Sequence, residues 1–322
     1  MKVAVTGGAG YIGALTVEEL LDAGHEVRVL DVLLHDQEPV AAALAELGVD
    51  LIRGNVRDPQ ARAAALEGAD AVVHLAAIVG DPACAVDPAL SNEVNVEGSR
   101  SVASDARAAG VRRLVFASTC SNYGRMADPT VPISETGELR PVSLYAEQKV
   151  AIEREILGSP ANGLVATCLR FATVYGVARR MRFDLTVNEF TRDLWAERPL
   201  EVFGETFWRP YVHVRDAARA IALVLASPEE KVAAAVFNAG HSDENYRKLD
   251  LVQLITDRLG RGEVSYVKRS EDPRDYKVSF EKIRAELGFE PLHRVPDGID
   301  EIVRALEAGS LGDPFDARFS NT

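Results

Sequence analysis

A tyrosine and a lysine stand four residues apart in Tyr145-Ala146-Glu147-Gln148-Lys149, a spacing that puts both on one face of a helix. A free phenol, with a pKa of about 10, is a poor base at neutral pH, and lowering it to about 7 takes about 4 kcal/mol. One cation about 4 Å away supplies about that much at an effective dielectric of 20. Lys149 is thus placed to make Tyr145 basic, and Ser118-Thr119 ends the strand that precedes this helix.

A second pattern lies near the start. Thr6-Gly7-Gly8-Ala9-Gly10-Tyr11-Ile12-Gly13 follows an apolar strand, Lys2–Thr6, and opens a helical stretch that stops at Gly24. Gly8, Gly10 and Gly13 have G-x-G-x-x-G spacing, and Gly7 adds a G-x-x-G-x-x-G reading. Glycine is needed where the chain turns tightly, where the backbone meets a pyrophosphate and where helix packs on strand. The helix N-terminus then offers free N–H groups to an anion. Asp31 ends the next strand, about 20 residues on, where a carboxylate accepts the ribose hydroxyls of NAD and repels the extra phosphate of NADP. The expected cofactor is therefore NAD, whose positive nicotinamide ring would help Lys149 to deprotonate Tyr145.

These groups need a scaffold, and the first half provides a strand–helix rhythm. Strands are expected at 26–31, 50–53, 71–75, 113–117 and 164–170. Helices are expected near 11–23, 40–47, 59–66, 88–109 and 145–157. Such alternation argues for a parallel sheet covered on both faces. After Phe171 the rhythm breaks. Tyr211–Val214 and Val236–Asn238 read as short strands around a helix 216–225, placed to return to the main sheet. Helices are expected at 249–259 and 280–287, and the tail after Gly312 reads as loose. The fold class is α/β: a Rossmann-type doubly wound parallel sheet with a smaller C-terminal substrate-binding α/β domain. The expected division is 1–170, with 212–239, for the cofactor, and 171–211 with 240–322 for the substrate.

Bulk properties narrow the partners. The 322 residues are 47% hydrophobic with a net charge of −13. So acidic a surface repels nucleic acid, and any phosphate ligand must meet a local positive site. No run approaches a membrane span. Cys84, Cys120 and Cys168 have neither paired nor metal-type spacing, the six histidines show no metal pattern, and the simple placement is cytoplasmic.

With Ser118-Thr119, Tyr145 and Lys149 the chain resembles the extended branch of the short-chain dehydrogenase/reductase family, the nucleotide-sugar epimerases and dehydratases. His74-Leu75-Ala76-Ala77 matches the family's strand end against the cofactor, Asn55-Val56 its adenine contact, and Asn95 an asparagine near its active site. Ser118-Thr119-Cys120-Ser121-Asn122-Tyr123-Gly124 matches S-[ST]-x-x-x-Y-G, which makes Thr119 the catalytic hydroxyl. Arg170-Phe171-Ala172-Thr173-Val174-Tyr175-Gly176 resembles R-[YF]-[FA]-N-V-Y-G, and Arg209-Pro210-Tyr211-Val212-His213-Val214 resembles R-D-[FY]-[IV]-H-V.

The resemblance implies Thr119, Tyr145 and Lys149 as catalytic residues. It implies a cofactor site at Gly7, Gly10, Tyr11, Ile12, Gly13, Asp31, Asn55, Val56, Leu75, Ala76, Ala77, Asn95, Ser118, Tyr145, Lys149 and Phe171. Thr119, Thr173, Arg209 and Arg274 would hold the substrate, the two arginines gripping its diphosphate. It further implies a nucleoside-diphosphate sugar as substrate and a homodimer packed through helices 88–109 and 145–157. Thr173 replaces the usual asparagine. Cys120 and Ser121 replace the Asp-Glu acid/base pair of 4,6-dehydratases, which disfavours dehydration. Cys120 reads as a small buried thiol, and Asp81 and Cys84 border the expected sugar pocket. Epimerisation at C4 through a 4-keto intermediate is the leading expectation. A ketosugar reductase and a non-catalytic NAD-binding protein are the alternatives.

Overall fold

The computed structural model describes residues 1–158, 163–267 and 274–321. Its strands among these residues, in chain order, are β1 (Lys2–Thr6), β2 (Glu26–Asp31), β3 (Asp50–Arg53), β4 (Ala71–His74), β5 (Arg113–Thr119), β6 (Val165–Phe171), β7 (Thr173–Tyr175), β8 (Leu200–Val202), β9 (Trp208–His213), β10 (Ala235–Ala239), β11 (Asn245–Arg247) and β12 (Val264–Tyr266). Seven form one sheet in the order β10-β6-β5-β4-β1-β2-β3, and every pairing is parallel. Val3, Ala4, Val5, Val72 and Phe116 are completely buried, as a sheet covered on both faces requires.

The order reverses between β1 and β4. In open α/β sheets this switch point, outside the strands' carboxyl ends, is where ligands bind. Thr6 pairs with Leu30 and His74 there, so the glycine turn, Asp31, Leu75 and Thr119 emerge along one edge. The helix Tyr11–Asp22 begins directly after the turn.

Of the two short strands expected to return to the main sheet, β10 does, beside β6. Tyr211–Val214 does not: Tyr211–His213 fall in β9, which pairs with β7 and β11 in a separate three-stranded sheet, and Val214 opens the next helix. Helix Val214–Ala226 nonetheless packs on Tyr11–Asp22. A third, two-stranded sheet joins β8 and β12. The expected single helix 88–109 is a composite of Pro88–Asn92, a π-helical turn Glu93–Gly98 and Ser99–Ala108. The tail is docked, not loose. Phe319 is 8% exposed and meets the Phe183 ring edge-on at 5.7 Å.

Candidate functional site

The switch point opens into a cleft of about 850 Å³ between the sheet edge and the chain's second half. Its floor is the glycine turn. Gly7 has φ +74°, and a Cβ there would stand 2.7 Å from the Ala76 nitrogen. A Cβ on Gly13 would stand 2.1 Å from the Gly7 carbonyl oxygen. The G-x-x-G-x-x-G reading is the one that faces the cleft, through Gly7, Gly10 and Gly13. Gly8 instead packs against Val29 of β2. Gly10 caps a helix with no acid in its first turn, so the first helical N–H groups meet an anion without competition.

Thr6 and His74 brace this floor. Their side chains are 2.6 Å apart, Thr6 accepts from the Ala76 nitrogen at 3.3 Å, and His74 reaches Ser99 at 2.9 Å. Burial, with Lys149 nearby, pushes the His74 pKa down to about 3, which keeps the imidazole neutral. Asp31 accepts from the Ala9 nitrogen and the Leu33 nitrogen, both at 2.9 Å. It keeps further lone pairs for a ligand hydroxyl. Burial raises its carboxyl above the usual range in spite of these bonds. Asn55, Val56, Leu75, Ala76, Ala77 and Phe171 continue the lining. These features fit a dinucleotide.

Asn95 and Ser118 behave differently from the expectation. Asn95 is 2% exposed and lies behind the wall. Its amide accepts from the Ile78 nitrogen at 2.8 Å and donates to the Ile78 carbonyl and to Gln148 at 2.9 Å each, which pins the loop after β4. Ser118 touches the cleft, but its hydroxyl points inward and donates to Glu153 at 2.7 Å. Glu153 pairs with Arg170 in a buried ion pair, and Arg170 donates on to Tyr123 at 2.9 Å.

Thr119, Tyr145 and Lys149 line the cleft together. Helix Leu144–Gly158 presents Tyr145 and Lys149 on one face, with Lys149 Nζ 5.8 Å from the Tyr145 ring centre. The ammonium donates to the Ala117 carbonyl at 2.8 Å and stands 4.7 Å from the Phe116 ring. In the cofactor-free chain the charge balance runs against ionising the phenol. From the protein's own groups, burial dominates and holds the Tyr145 phenol above its usual pKa. The same burial pushes Lys149 down to about 8. Lys149 alone does not make Tyr145 basic.

Thr173, Arg209 and Arg274 lie along the far wall. Arg274 reaches Asp81 at 3.1 Å and Ser121 at 3.2 Å, so Asp81 belongs to the site as the partner of an arginine. Cys120 donates to the Arg170 carbonyl at 3.2 Å and Cys84 to the Ile78 carbonyl at 3.3 Å; both are buried, and burial raises both thiols. Sequence reading missed Arg180, Arg182, Asp184, Glu189, Phe203, Lys248 and Asn321, which line the cleft as well. The cluster Arg179-Arg180-Met181-Arg182 was its one visible signal.

Residues 3–240 match the profile of the NAD dependent epimerase/dehydratase family. The chain belongs to this family. It is 31% identical to a UDP-glucose 4-epimerase of Corynebacterium glutamicum, over 91% of this chain and 92% of that protein. A UDP-glucose 4-epimerase of Thermus thermophilus, solved with NAD, superposes with a TM-score of 0.81 at 30% identity, covering 95% of this chain and 99% of that one. A dTDP-glucose 4,6-dehydratase of Streptomyces venezuelae, solved with NAD, gives 0.85 at 29% identity, with 98% and 100% covered. The family is NAD-dependent, in agreement with the fingerprint and with Asp31. Among the described residues no helix is long and apolar enough to cross a membrane.

Proposed function

We propose that this chain is an NAD-dependent epimerase that inverts C4 of a nucleoside-diphosphate sugar through a 4-keto intermediate. The observation that carries the reading is the grouping of Thr119, Tyr145 and Lys149 in one cleft with the glycine turn. Gly7, Gly10 and the amides of Tyr11, Ile12 and Gly13 would hold the dinucleotide's pyrophosphate, and Asp31 its ribose. NAD, when bound, supplies the hydride-accepting and hydride-returning chemistry and a positive ring beside the phenol.

Tyr145 Oη takes the proton of the sugar's 4-hydroxyl, and Thr119 Oγ1 hydrogen-bonds the same oxygen. A charged Lys149 on the same helix face favours the ionised phenol, against the burial that opposes it. Arg209 and Arg274 grip the diphosphate, with Asp81 releasing Arg274 as the anion arrives. Thr173 offers a hydroxyl at the same wall. Cys120 and Ser121 present no carboxylate, which separates this site from an acid/base pair for dehydration. Residues 1–170 with 212–239 form the cofactor unit of this reading, and 171–211 with 240–322 supply most of the sugar-nucleotide side.

The test uses UDP-glucose or UDP-galactose with no added reductant, followed by NMR of the sugar's C4 proton. Interconversion without net consumption of nicotinamide cofactor supports the proposal, and stoichiometric consumption points to a reductase instead. Tyr145→Phe is expected to lower turnover by about 10²–10⁴-fold while NAD binding persists. Full activity in that variant defeats the mechanism.

The reading includes a homodimer packed through helices Ser99–Ala108 and Leu144–Gly158, which lie side by side with a groove between them. Sedimentation giving a single-chain mass would contradict it. The three unpaired thiols suit a cytoplasmic setting.

A further inference from the structure

Arg180 is a buried charge that the mechanism above does not use. It is 6% exposed and lines the cleft with Gly10, Tyr11 and Asp31. Among the described residues it makes one hydrogen bond, from Nη2 to the Ser320 carbonyl at 3.1 Å, and its Nε is buried without a partner. A guanidinium carries five N–H donors in a rigid fork, and a buried cation with no counter-ion in contact is costly. The nearest carboxylates are already engaged. Asp184 takes two bonds from Arg182, at 2.9 and 2.7 Å, and both Asp31 oxygens accept backbone N–H groups. Burial, with Arg182 alongside, pushes the Arg180 guanidinium down to about 10. Its surroundings thus favour the arrival of an anion.

The chain's own tethers bring the segment that carries Arg180 to the start of the first helix. Tyr11, the first residue of that helix, donates its hydroxyl to the Gly176 carbonyl at 2.6 Å and accepts from Asn188 at 3.0 Å. Arg180 follows Gly176 by four residues, and the fields of Tyr11 and Asp31 both act on it. The tail fixes the other side. The Phe183 nitrogen donates to the Phe319 carbonyl at 2.8 Å. Asn321 donates to Asp184 and, across the cleft, to the Val79 carbonyl, each at 3.2 Å.

We propose that Arg180 is a cofactor-binding residue whose guanidinium fork clasps the pyrophosphate of the dinucleotide from the side opposite the glycine turn, with Phe319–Asn321 holding the fork in place. This rests on the cofactor site assigned above. The pyrophosphate is the favoured anion because the acid-free N-terminus of helix Tyr11–Asp22 draws it there, whereas Asp31 repels a 2′-phosphate. Planar two-pronged recognition of phosphate is the chemistry a guanidinium performs better than an ammonium.

The test is calorimetric titration of NAD, ADP-ribose, NADP and UDP into cofactor-stripped protein, wild type and variants. Arg180→Met is expected to weaken NAD and ADP-ribose alike by about 10- to 100-fold, the loss of a charge-assisted pair, with UDP affinity within about twofold. Arg180→Lys falls between, and it carries the test where the Met variant does not fold. Phe319→Ala weakens NAD in the same direction by less. Unchanged NAD affinity in Arg180→Met overturns the proposal. Loss confined to NADP would assign the residue to a 2′-phosphate, and loss confined to UDP would assign it to the substrate; either result overturns it. Wild-type protein that binds neither NAD nor ADP-ribose sinks the cofactor site itself, and this proposal with it.

Discussion

Lys149 is held where an ammonium is expensive, so removing it should stabilise the cofactor-free protein while damaging catalysis. Its pKa falls from 10.5 to about 8 through burial, which corresponds to a penalty of about 3 kcal/mol on the charged form at neutral pH. Replacement by Met keeps an unbranched stem beside Phe116 and removes the charge. It also removes the bond to the Ala117 carbonyl, worth about 1 kcal/mol net. The balance is a gain of about 2 kcal/mol for Lys149→Met at pH 7. The unfolded chain keeps this lysine protonated up to about pH 10.5, while the folded chain releases the proton near pH 8. The wild type therefore recovers stability as pH rises between those values, and the variant's advantage shrinks across that window. Urea denaturation followed by circular dichroism at pH 7 and pH 10.5 reads both effects. A variant less stable than wild type at pH 7, or an advantage that does not narrow at high pH, refutes the reasoning. Turnover in the same variant should drop by at least about 10²-fold.

Glu153→Gln leaves Arg170 buried with a neutral partner and should cost about 3–5 kcal/mol, seen as a lower urea midpoint at an unchanged slope. Gly13→Ala drives a methyl group against the Gly7 carbonyl, where a Cβ has only 2.1 Å. It should cost about 1–3 kcal/mol and abolish NAD binding by calorimetry, whereas wild-type affinity in that variant would mean the turn is not the pyrophosphate floor.

The elements that could be read from sequence were those whose signals are local. Asp50–Arg53 and Pro59–Leu66 appear with the expected bounds, because a short apolar pair between charged residues and an Asp58-Pro59 helix start act within a few residues. Helix Thr186–Trp195 was not foreseen: it opens on β-branched residues, and its support comes from packing against Val295–Glu307. The latter hides its own pattern behind Pro296 and Gly298. β9 was legible as a strand, but the choice of sheet depends on distant partners that no local window contains. The same division holds in the cleft. Gly7, Asp31, Tyr145 and Lys149 have fixed spacings imposed by the chemistry. Arg180, Asp184 and Lys248 come from separate segments that meet only after folding, and the inward turn of the Ser118 hydroxyl is decided by Glu153, 35 residues away.

The π-helical turn at Glu93–Gly98 makes this stretch unusually sensitive to chain length. A π turn accommodates one residue more than the α-helix it interrupts, and that surplus sets the angle at which Asn95 meets the loop after β4. Removing a single residue there would let the helix relax into regular winding and rotate Asn95 by about 100°, away from Ile78. Most point changes along the turn leave that phase intact. In this helix a one-codon deletion is the graver lesion, and a natural variant one residue shorter would need another way to anchor the loop.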